Sequence, residues 1–210
     1  MRQSIRIWLI PTLAALALSA CSLRPAPEDA FYRLEVGQPT RVLEHPTLAG
    51  VLEVGALRAD PLVGGRAMLY RSSGASTRIR RHLYSYWSDS PTSMLQTELA
   101  AYSRAAGAAA RVVTPAARTH PDFALSGTIL RLEQVRGDAP SVLIEMELSV
   151  VVRGTRELLL FEVYREELAA GGSGVESAVA AFSRGLSKIF DRFITDLATI
   201  RAAGTESTQN

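Results

Sequence analysis

A single cysteine, Cys21, occurs in the 210 residues of this chain, and it follows directly after an apolar segment. No disulfide within the chain can therefore hold the fold together, so the burial of apolar side chains has to do so. Two arginines precede the apolar run Ile7–Leu18, and two small residues separate this run from the cysteine. This order is typical of a secretory signal peptide, and a 12-residue apolar run is too short to cross a bilayer. The sequence predicts that residues 1–20 are a signal peptide.

The four residues that end at Cys21 are Leu-Ser-Ala-Cys, which resemble the lipobox of bacterial lipoproteins. In that motif the thiol receives a diacylglycerol, and cleavage leaves the cysteine as the first residue. A lone thiol in a secreted chain needs an explanation, and acylation supplies one; an ordinary signal peptide with a chance cysteine is the alternative. Because Ser22 stands where an aspartate would retain such a lipoprotein in the inner membrane, the resemblance implies the periplasmic face of a Gram-negative outer membrane. Residues 21–30, with two prolines and mixed charge, are predicted to form the lipidated tether.

The charge of the mature chain is balanced. Removing residues 1–20 takes two arginines from the 23 basic residues and leaves 21, equal to the 21 acidic ones. Nucleic-acid binding requires a net basic face, so no nucleic-acid partner is expected. The remaining length suits one domain with a sizeable core, which we assign to residues 31–203, and residues 204–210 are predicted to be a frayed tail.

Hydrophobic periodicity predicts an α+β fold. The clearest strand is Val142–Val152, in which alternate residues are apolar while Glu145 and Glu147 face the other way, a pattern typical of antiparallel sheets. A first helix is expected from Pro91 to Gly107, and a second one carries a long apolar stripe that is predicted to be core rather than a partner surface. We therefore predict a mostly antiparallel sheet with two main helices packed on it, in a single domain. The stripe includes Phe182, Leu186, Phe190 and Phe193, and the other strands are expected at Phe31–Val36, Leu48–Leu57, Ala67–Tyr70, Arg78–Trp87, Arg111–Thr114, Phe123–Val135 and Glu157–Leu168.

The predicted strand Arg78–Trp87 carries the candidate partner-binding site. Strict alternation places Trp87 in the core together with Ile79 and Leu83. The opposite face then presents tyrosines and arginines, the residue types enriched at the centres of protein interfaces. The alternative is an edge strand whose arginines keep it from pairing with other chains. The candidate partner-binding residues are Arg78, Arg80, Tyr84 and Tyr86.

No catalytic motif is evident in the sequence. The segment Gly171–Val175 lacks the final glycine of a nucleophile elbow, and there is neither a Walker motif nor a dinucleotide fingerprint. His45, His82 and His120 are too scattered to form a local metal motif. We expect no catalytic residue, no metal site and no cofactor, with a site assembled only in three dimensions as the alternative.

Three segments resemble the ABC-type transport auxiliary lipoprotein family. These are Met68–Arg71, then Leu83–Trp87 with its aromatic cluster, and then Asp89–Leu95, where a proline opens a leucine-bearing helix. The lipobox, the first strand and the closing amphipathic helix match the family as well. Its best-known branch is the outer-membrane lipoprotein of the paraquat-inducible MCE-type lipid transport system.

The resemblance implies a non-catalytic role. In that family's systems an ABC transporter and a periplasmic MCE protein form a lipid conduit between the two membranes, and the lipoprotein stands at the outer-membrane end as an oligomer. Two other classes stay open from the residues themselves. One is an outer-membrane assembly or envelope-stress lipoprotein that binds a protein partner, and the other is a lipid-tethered periplasmic hydrolase.

Overall fold

A computed structural model describes residues 27–74 and 77–206, with side chains through Ile200. The predicted signal peptide, Cys21 and the first part of the tether lie outside the described residues. The described chain forms β-strands and two α-helices, with one turn of 3-10 helix at Pro115–Ala117. The strands and helices, in chain order, are β1 (Ala30–Tyr32), β2 (Leu48–Val54), β3 (Arg58–Ala59), β4 (Ala67–Ser72), β5 (Arg80–Trp87), α1 (Pro91–Ala106), β6 (Ala109–Val113), β7 (Phe123–Arg136), β8 (Ser141–Val152), β9 (Leu158–Ala169) and α2 (Val175–Glu206).

The long strand β7 organises the sheet, because it is long enough to pair with several strands along one edge. Along its other edge β8 pairs with it antiparallel over nearly its whole length, and β9 pairs antiparallel with β8. Three strands, β2, β3 and β4, lie end to end and parallel to β7 on the first edge. On its far side β2 pairs with β6, and β4 pairs with β5, which in turn pairs with β1. The sheet therefore divides into two branches on this side of β7.

The α+β class, the single domain and the two main helices are confirmed, but the sheet is mixed rather than mostly antiparallel. The pairs β1–β5 and β2–β6 are parallel, as are the three pairs that β7 makes with β2, β3 and β4. The prediction used alternating hydrophobicity, which reports that one face of a strand is buried. Parallel strands usually lose this alternation because helices cover both of their faces. Here the helices pack on one face, so parallel strands keep an alternating pattern.

Helix α1 begins and ends where the sequence predicted. The Ser90 hydroxyl accepts a hydrogen bond from the Ser93 backbone N–H at 3.3 Å, and Pro91 occupies the first helical position. At the other end Gly107 adopts a left-handed conformation with a φ of 73°, and its N–H donates to the carbonyl of Arg104. Both ends are determined by residues adjacent in sequence, which explains why the prediction succeeded.

The apolar stripe of α2 forms the centre of the core, as predicted. Phe182, Leu186, Phe190 and Phe193 are all at most 1% exposed. The three phenylalanine rings pack edge to face with aromatic side chains of the sheet and of α1, which joins the two helices to the sheet. The three pairs are Trp87–Phe182, Tyr102–Phe190 and Tyr164–Phe193, with ring centroids 5.6, 5.4 and 6.4 Å apart.

Two core tyrosines are held by carboxylates of α2. The Tyr102 hydroxyl donates to Asp191 at 2.5 Å, and the Tyr164 hydroxyl donates to Asp196 at 2.9 Å. Burial, and next the hydrogen bond to a carboxylate, raise the pKa of both phenols well above the usual value. These hydroxyls therefore stay protonated, and each gives a buried ring a fixed polar partner.

Gly127 lies opposite Leu148 in the pairing of β7 with β8. A Cβ atom at this position would be 2.6 Å from the backbone carbonyl oxygen of Glu147 and 2.7 Å from a methyl of Leu148. We expect Gly127→Ala to lower the free energy of unfolding by about 1–3 kcal/mol, because the backbone of β8 has to move. Gly154→Ala is the matched control, since no atom beyond its two chain neighbours lies within 4 Å of its added methyl. Equal denaturation midpoints for the two variants would contradict this prediction.

Candidate functional site

The segment before β2 is the first part of the chain that the structure describes, and it follows the predicted tether. Strand β1 pairs parallel with β5, with Ala30 opposite Ser85 and Tyr32 opposite Trp87. Beyond β1, the backbone N–H groups of Val36, Gly37 and Thr40 donate to Glu98, Ser187 and Asp191, which lie on the two helices. These bonds hold the segment after β1 to the two helices, whereas the pairing with β5 sets where the described chain begins.

Strand β5 does not alternate as the sequence predicted, because its register against β4 shifts. Ala67 lies opposite Tyr86 and Leu69 opposite Arg81, so three residues of β4 lie against six residues of β5. The three extra residues in β5 reverse its alternation, since an odd insertion exchanges the two faces of a strand. The predicted grouping of these side chains on a single face is therefore wrong.

The shift separates the four candidate partner-binding residues. Arg80 lies opposite Tyr70 and shares its face of the sheet, whereas Tyr86 lies opposite Ala67 on the other face. Arg78 precedes the strand and is exposed, and Tyr84 lies within the shifted stretch and is 38% exposed. The structure therefore keeps Tyr84 and Tyr86 near one another and places the two arginines at the beginning of β5.

The prediction for the apolar residues of β5 is partly confirmed. Trp87 is 2% exposed and packs against Phe182, as expected. Ile79 and Leu83 were predicted to share its core face, but they are 37% and 75% exposed. The register shift explains the exposure of Leu83, which lies in the stretch that leaves the regular ladder, whereas Ile79 lies before β5 begins.

An exposed aromatic patch, formed by Phe31, Tyr86 and Arg66, lies at the pairing of β1 with β5. The rings of Phe31 and Tyr86 lie 5.8 Å apart, and the guanidinium of Arg66 lies 5.4 Å from the centre of the Phe31 ring. Phe31 remains 59% exposed, and the Tyr86 hydroxyl donates to the carbonyl of Leu83 at 2.7 Å. Sequence reasoning missed Phe31, because it treated the first strand only as part of the sheet.

A second feature is the arginine cluster, defined by Arg78, Arg80, Arg81 and Arg136. All four side chains are exposed, and none of them forms an ion pair with a described residue. Arg136 stacks on the ring of Tyr70 with its guanidinium 4.9 Å from the ring centre. The sequence analysis did not include Arg81, because strict alternation places it on the opposite face of β5 from Arg80. It did not include Arg136, because this residue is brought near the others only by the pairing of β4 with β7.

His82 is held by contacts with Tyr70 and Gln134. Its ring packs edge on against Tyr70 at 4.8 Å, and its Nε2 forms a 2.9 Å hydrogen bond with the side-chain oxygen of Gln134. The Gln134 amide in turn donates to the backbone carbonyl of Ser173, just before α2. Burial lowers the pKa of His82, and the charge of Arg136 lowers it further, although the bond to Gln134 acts in the opposite direction. This arrangement ties the end of the sheet to the beginning of α2.

The described residues contain neither a metal-binding group nor a membrane-spanning helix. Over residues 27–74 and 77–206, no three His, Cys, Asp or Glu side chains lie close enough together to hold a metal ion. In the same part of the chain, no helix combines the length and the apolar character that crossing a membrane requires.

Comparison with known proteins identifies the family. The sequence model of the ABC-type transport auxiliary lipoprotein component family matches residues 32–192, and the chain belongs to this family. Its members are lipoproteins that assist ABC-type transport, which implies a membrane-anchored place in the cell envelope. No curated protein sequence matches the chain at a significant level.

Two crystal structures share the fold. A protein from Xanthomonas campestris is 15% identical and superposes with a TM-score of 0.71, covering 86% of this chain and 100% of its own. An uncharacterised protein is 16% identical, with a TM-score of 0.64, and the match covers 81% of this chain and 99% of that one. At these identities the likeness concerns the fold alone.

Proposed function

We propose that this protein is the non-catalytic outer-membrane lipoprotein of an MCE-type lipid transport system, held to the membrane by acyl chains on Cys21. Family membership supports the association with an ABC transporter. The lipobox before the matched region and Ser22 after the cysteine support the anchor and its outer-membrane destination. Two or more acyl chains hold a protein firmly to a bilayer, whereas one chain does so only marginally.

The exposed aromatic patch is the observation that carries the proposal, because it suits a protein partner. Phe31 and Tyr86 present neighbouring rings beside an arginine, and aromatic and arginine side chains dominate the energetics of protein interfaces. The patch lies next to the point where the tether leaves the domain. The periplasmic MCE protein, or a second copy of this chain in an oligomer, contacts this patch and the neighbouring Tyr84.

Co-purification after crosslinking tests the proposed function. The full-length protein, tagged at its carboxyl terminus, is crosslinked in its native host and isolated from solubilised membranes. We expect the MCE protein and the permease and ATPase of one ABC transporter to be recovered with it. Recovery of outer-membrane assembly factors in place of the transporter would contradict the proposal.

The tyrosines of β5 can be tested by a double variant. We expect Tyr84→Ala with Tyr86→Ala to abolish recovery of the MCE protein or the oligomer, while the melting temperature stays within a few degrees of the wild type, because both side chains are partly exposed. The matched control is Phe161→Ala with Val163→Ala, which removes side chains of β9 that are 53% and 45% exposed. Unchanged recovery in the tyrosine variant, or equal loss in the control, would contradict a role of this surface in assembly.

A further inference from the structure

The direction of β1 shows toward which end of the sheet its amino-terminal end points. Because β1 runs parallel to β5 and Ala30 lies opposite Ser85, the amino-terminal end of β1 points the same way as the beginning of β5. Cys21 lies nine residues before Ala30, a reach of about 30 Å when extended. The five residues from Ser85 back to Arg80 span only about 17 Å. The tether is therefore long enough for the acyl chains to lie at the end of the sheet where β5 begins.

The arginine cluster lies at this same end. Strands β4 and β7 run parallel and both finish here, with Ser72 opposite Arg136, and β5 starts here with Arg80 opposite Tyr70. A hydrogen bond of 2.7 Å from the Ser73 N–H to the Arg136 carbonyl joins the ends of β4 and β7. Four arginines from two segments, the beginning of β5 and the end of β7, thus lie at one end of the sheet.

Few acidic groups are available to neutralise these arginines. Glu133 lies on β7 nearby, but its side chain is 3% exposed and pairs with Arg71 at 3.3 Å. Asp138 follows Arg136 in the next turn, and Glu167 on β9 accepts a hydrogen bond from Ser141. The mature chain as a whole is neutral, so the excess of positive charge at this end is a local property of the fold.

Exposed apolar side chains lie among the arginines. Ile79 separates Arg78 from Arg80 and is 37% exposed, and Leu83 follows two residues after Arg81 and is 75% exposed. Arginines around exposed aliphatic residues suit the interface of an anionic bilayer, where the guanidinium groups meet phosphates and the aliphatic groups enter the acyl boundary.

We propose that the arginine cluster, together with Ile79 and Leu83, contacts the phosphates of anionic phospholipids in the membrane that holds the lipid anchor. The contact orients the domain so that the end of the sheet that carries the arginine cluster faces the bilayer. This inference rests on the anchor at Cys21 in the proposed function. Each arginine near an anionic surface favours the contact about fivefold.

A fluorescent label on Leu83→Cys tests the proposal in the lipidated mature protein. Cys21 is the only cysteine of the chain, so once its thiol is acylated the introduced thiol is the single site for an environment-sensitive dye. The protein is reconstituted into vesicles of phosphatidylethanolamine with about a quarter phosphatidylglycerol, or into phosphatidylcholine vesicles. We expect the emission to be stronger and shifted to the blue on the anionic vesicles only. This change should be lost in about 1 M salt, because a Debye length of about 3 Å screens the attraction between the arginines and the phosphates.

Charge reversal identifies the groups responsible. The variant Arg78→Glu, Arg80→Glu, Arg81→Glu is expected to lose the emission change, whereas Arg41→Glu, Arg111→Glu, Arg118→Glu, which reverses three exposed arginines elsewhere, keeps it. Circular dichroism melting confirms that both variants fold.

Several results would overturn the proposal. Equal emission on the two vesicle types would do so, as would an emission change that requires added transporter complex. It would also be overturned if the variant at Arg78, Arg80 and Arg81 kept the emission change, or if the variant at Arg41, Arg111 and Arg118 lost it equally. Flotation of the vesicles in the same high salt reports the anchor separately. Loss of flotation therefore marks failure of the proposed lipidation, whereas retained flotation without the emission change marks failure of the membrane contact.

Discussion

Phe190→Ala is expected to lower the free energy of unfolding by about 3–5 kcal/mol, the range for removing a fully buried aromatic ring. Phe190 is 0% exposed and packs edge to face on Tyr102 at 5.4 Å. The substitution leaves a cavity between α1 and α2 at the point where Asp191 holds the Tyr102 hydroxyl, so neighbouring side chains can fill it only partly. Urea denaturation followed by circular dichroism gives the value.

The control for this variant is Phe161→Ala on the outer face of β9. Phe161 is the same residue type but 53% exposed, and its replacement is expected to change stability by less than about 1 kcal/mol. If Phe190→Ala also stayed within about 0.5 kcal/mol of the wild type, the α2 stripe would not form the energetic core.

Cys21→Ser is expected to abolish membrane anchoring. Serine cannot form the thioether, so the chain accumulates as an unprocessed precursor or as a soluble periplasmic form. Each buried methylene of an acyl chain contributes about 0.8 kcal/mol to membrane binding, and the variant loses all of them. Membrane fractionation measures the loss, and intact-mass analysis of the wild type is expected to show the diacylglyceryl and amide-linked acyl groups. An unmodified cysteine in the mature wild-type protein would contradict the anchor.

Ser22→Asp separates the anchor from its destination. This variant keeps the lipobox intact and is expected to carry the same acyl mass, but to move from the outer-membrane to the inner-membrane fraction. A wild-type protein already found in the inner membrane would contradict the proposed outer-membrane location without affecting the assignment of Cys21.

The features that the sequence predicted correctly depend on neighbouring residues. Ser90 and Gly107 cap the two ends of α1 through hydrogen bonds to residues a few positions away in the chain. Their effect therefore does not depend on tertiary contacts. The stripe of α2 needs only helical periodicity to place Phe182 and Phe190 on one face, and both are buried. The class of fold and the family resemblance follow from such local patterns.

Strand partners and register were decided only by the tertiary structure. Alternating hydrophobicity does not say whether a neighbouring strand runs parallel, and β7 accepts three parallel strands on one edge. The same strand contains a β-bulge at Leu130, between Ile129 and Arg131, which exchanges its faces. Both features depend on which residues lie opposite, and those residues are distant in sequence.

The candidate site shows the same division. The sequence by itself determined the cysteine available for lipidation, the charge of each side chain and the aromatic cluster around Trp87. The three extra residues of β5 against β4 decided that Leu83 is exposed and that Arg80 and Tyr86 lie on opposite faces. The pairing of β4 with β7 brought Arg136 to the same end as Arg78. The chemistry of each side chain follows from the sequence alone. Which side chains form a common surface depends on the pairing of distant strands, because a shift of register by one residue moves a side chain to the other face of the sheet.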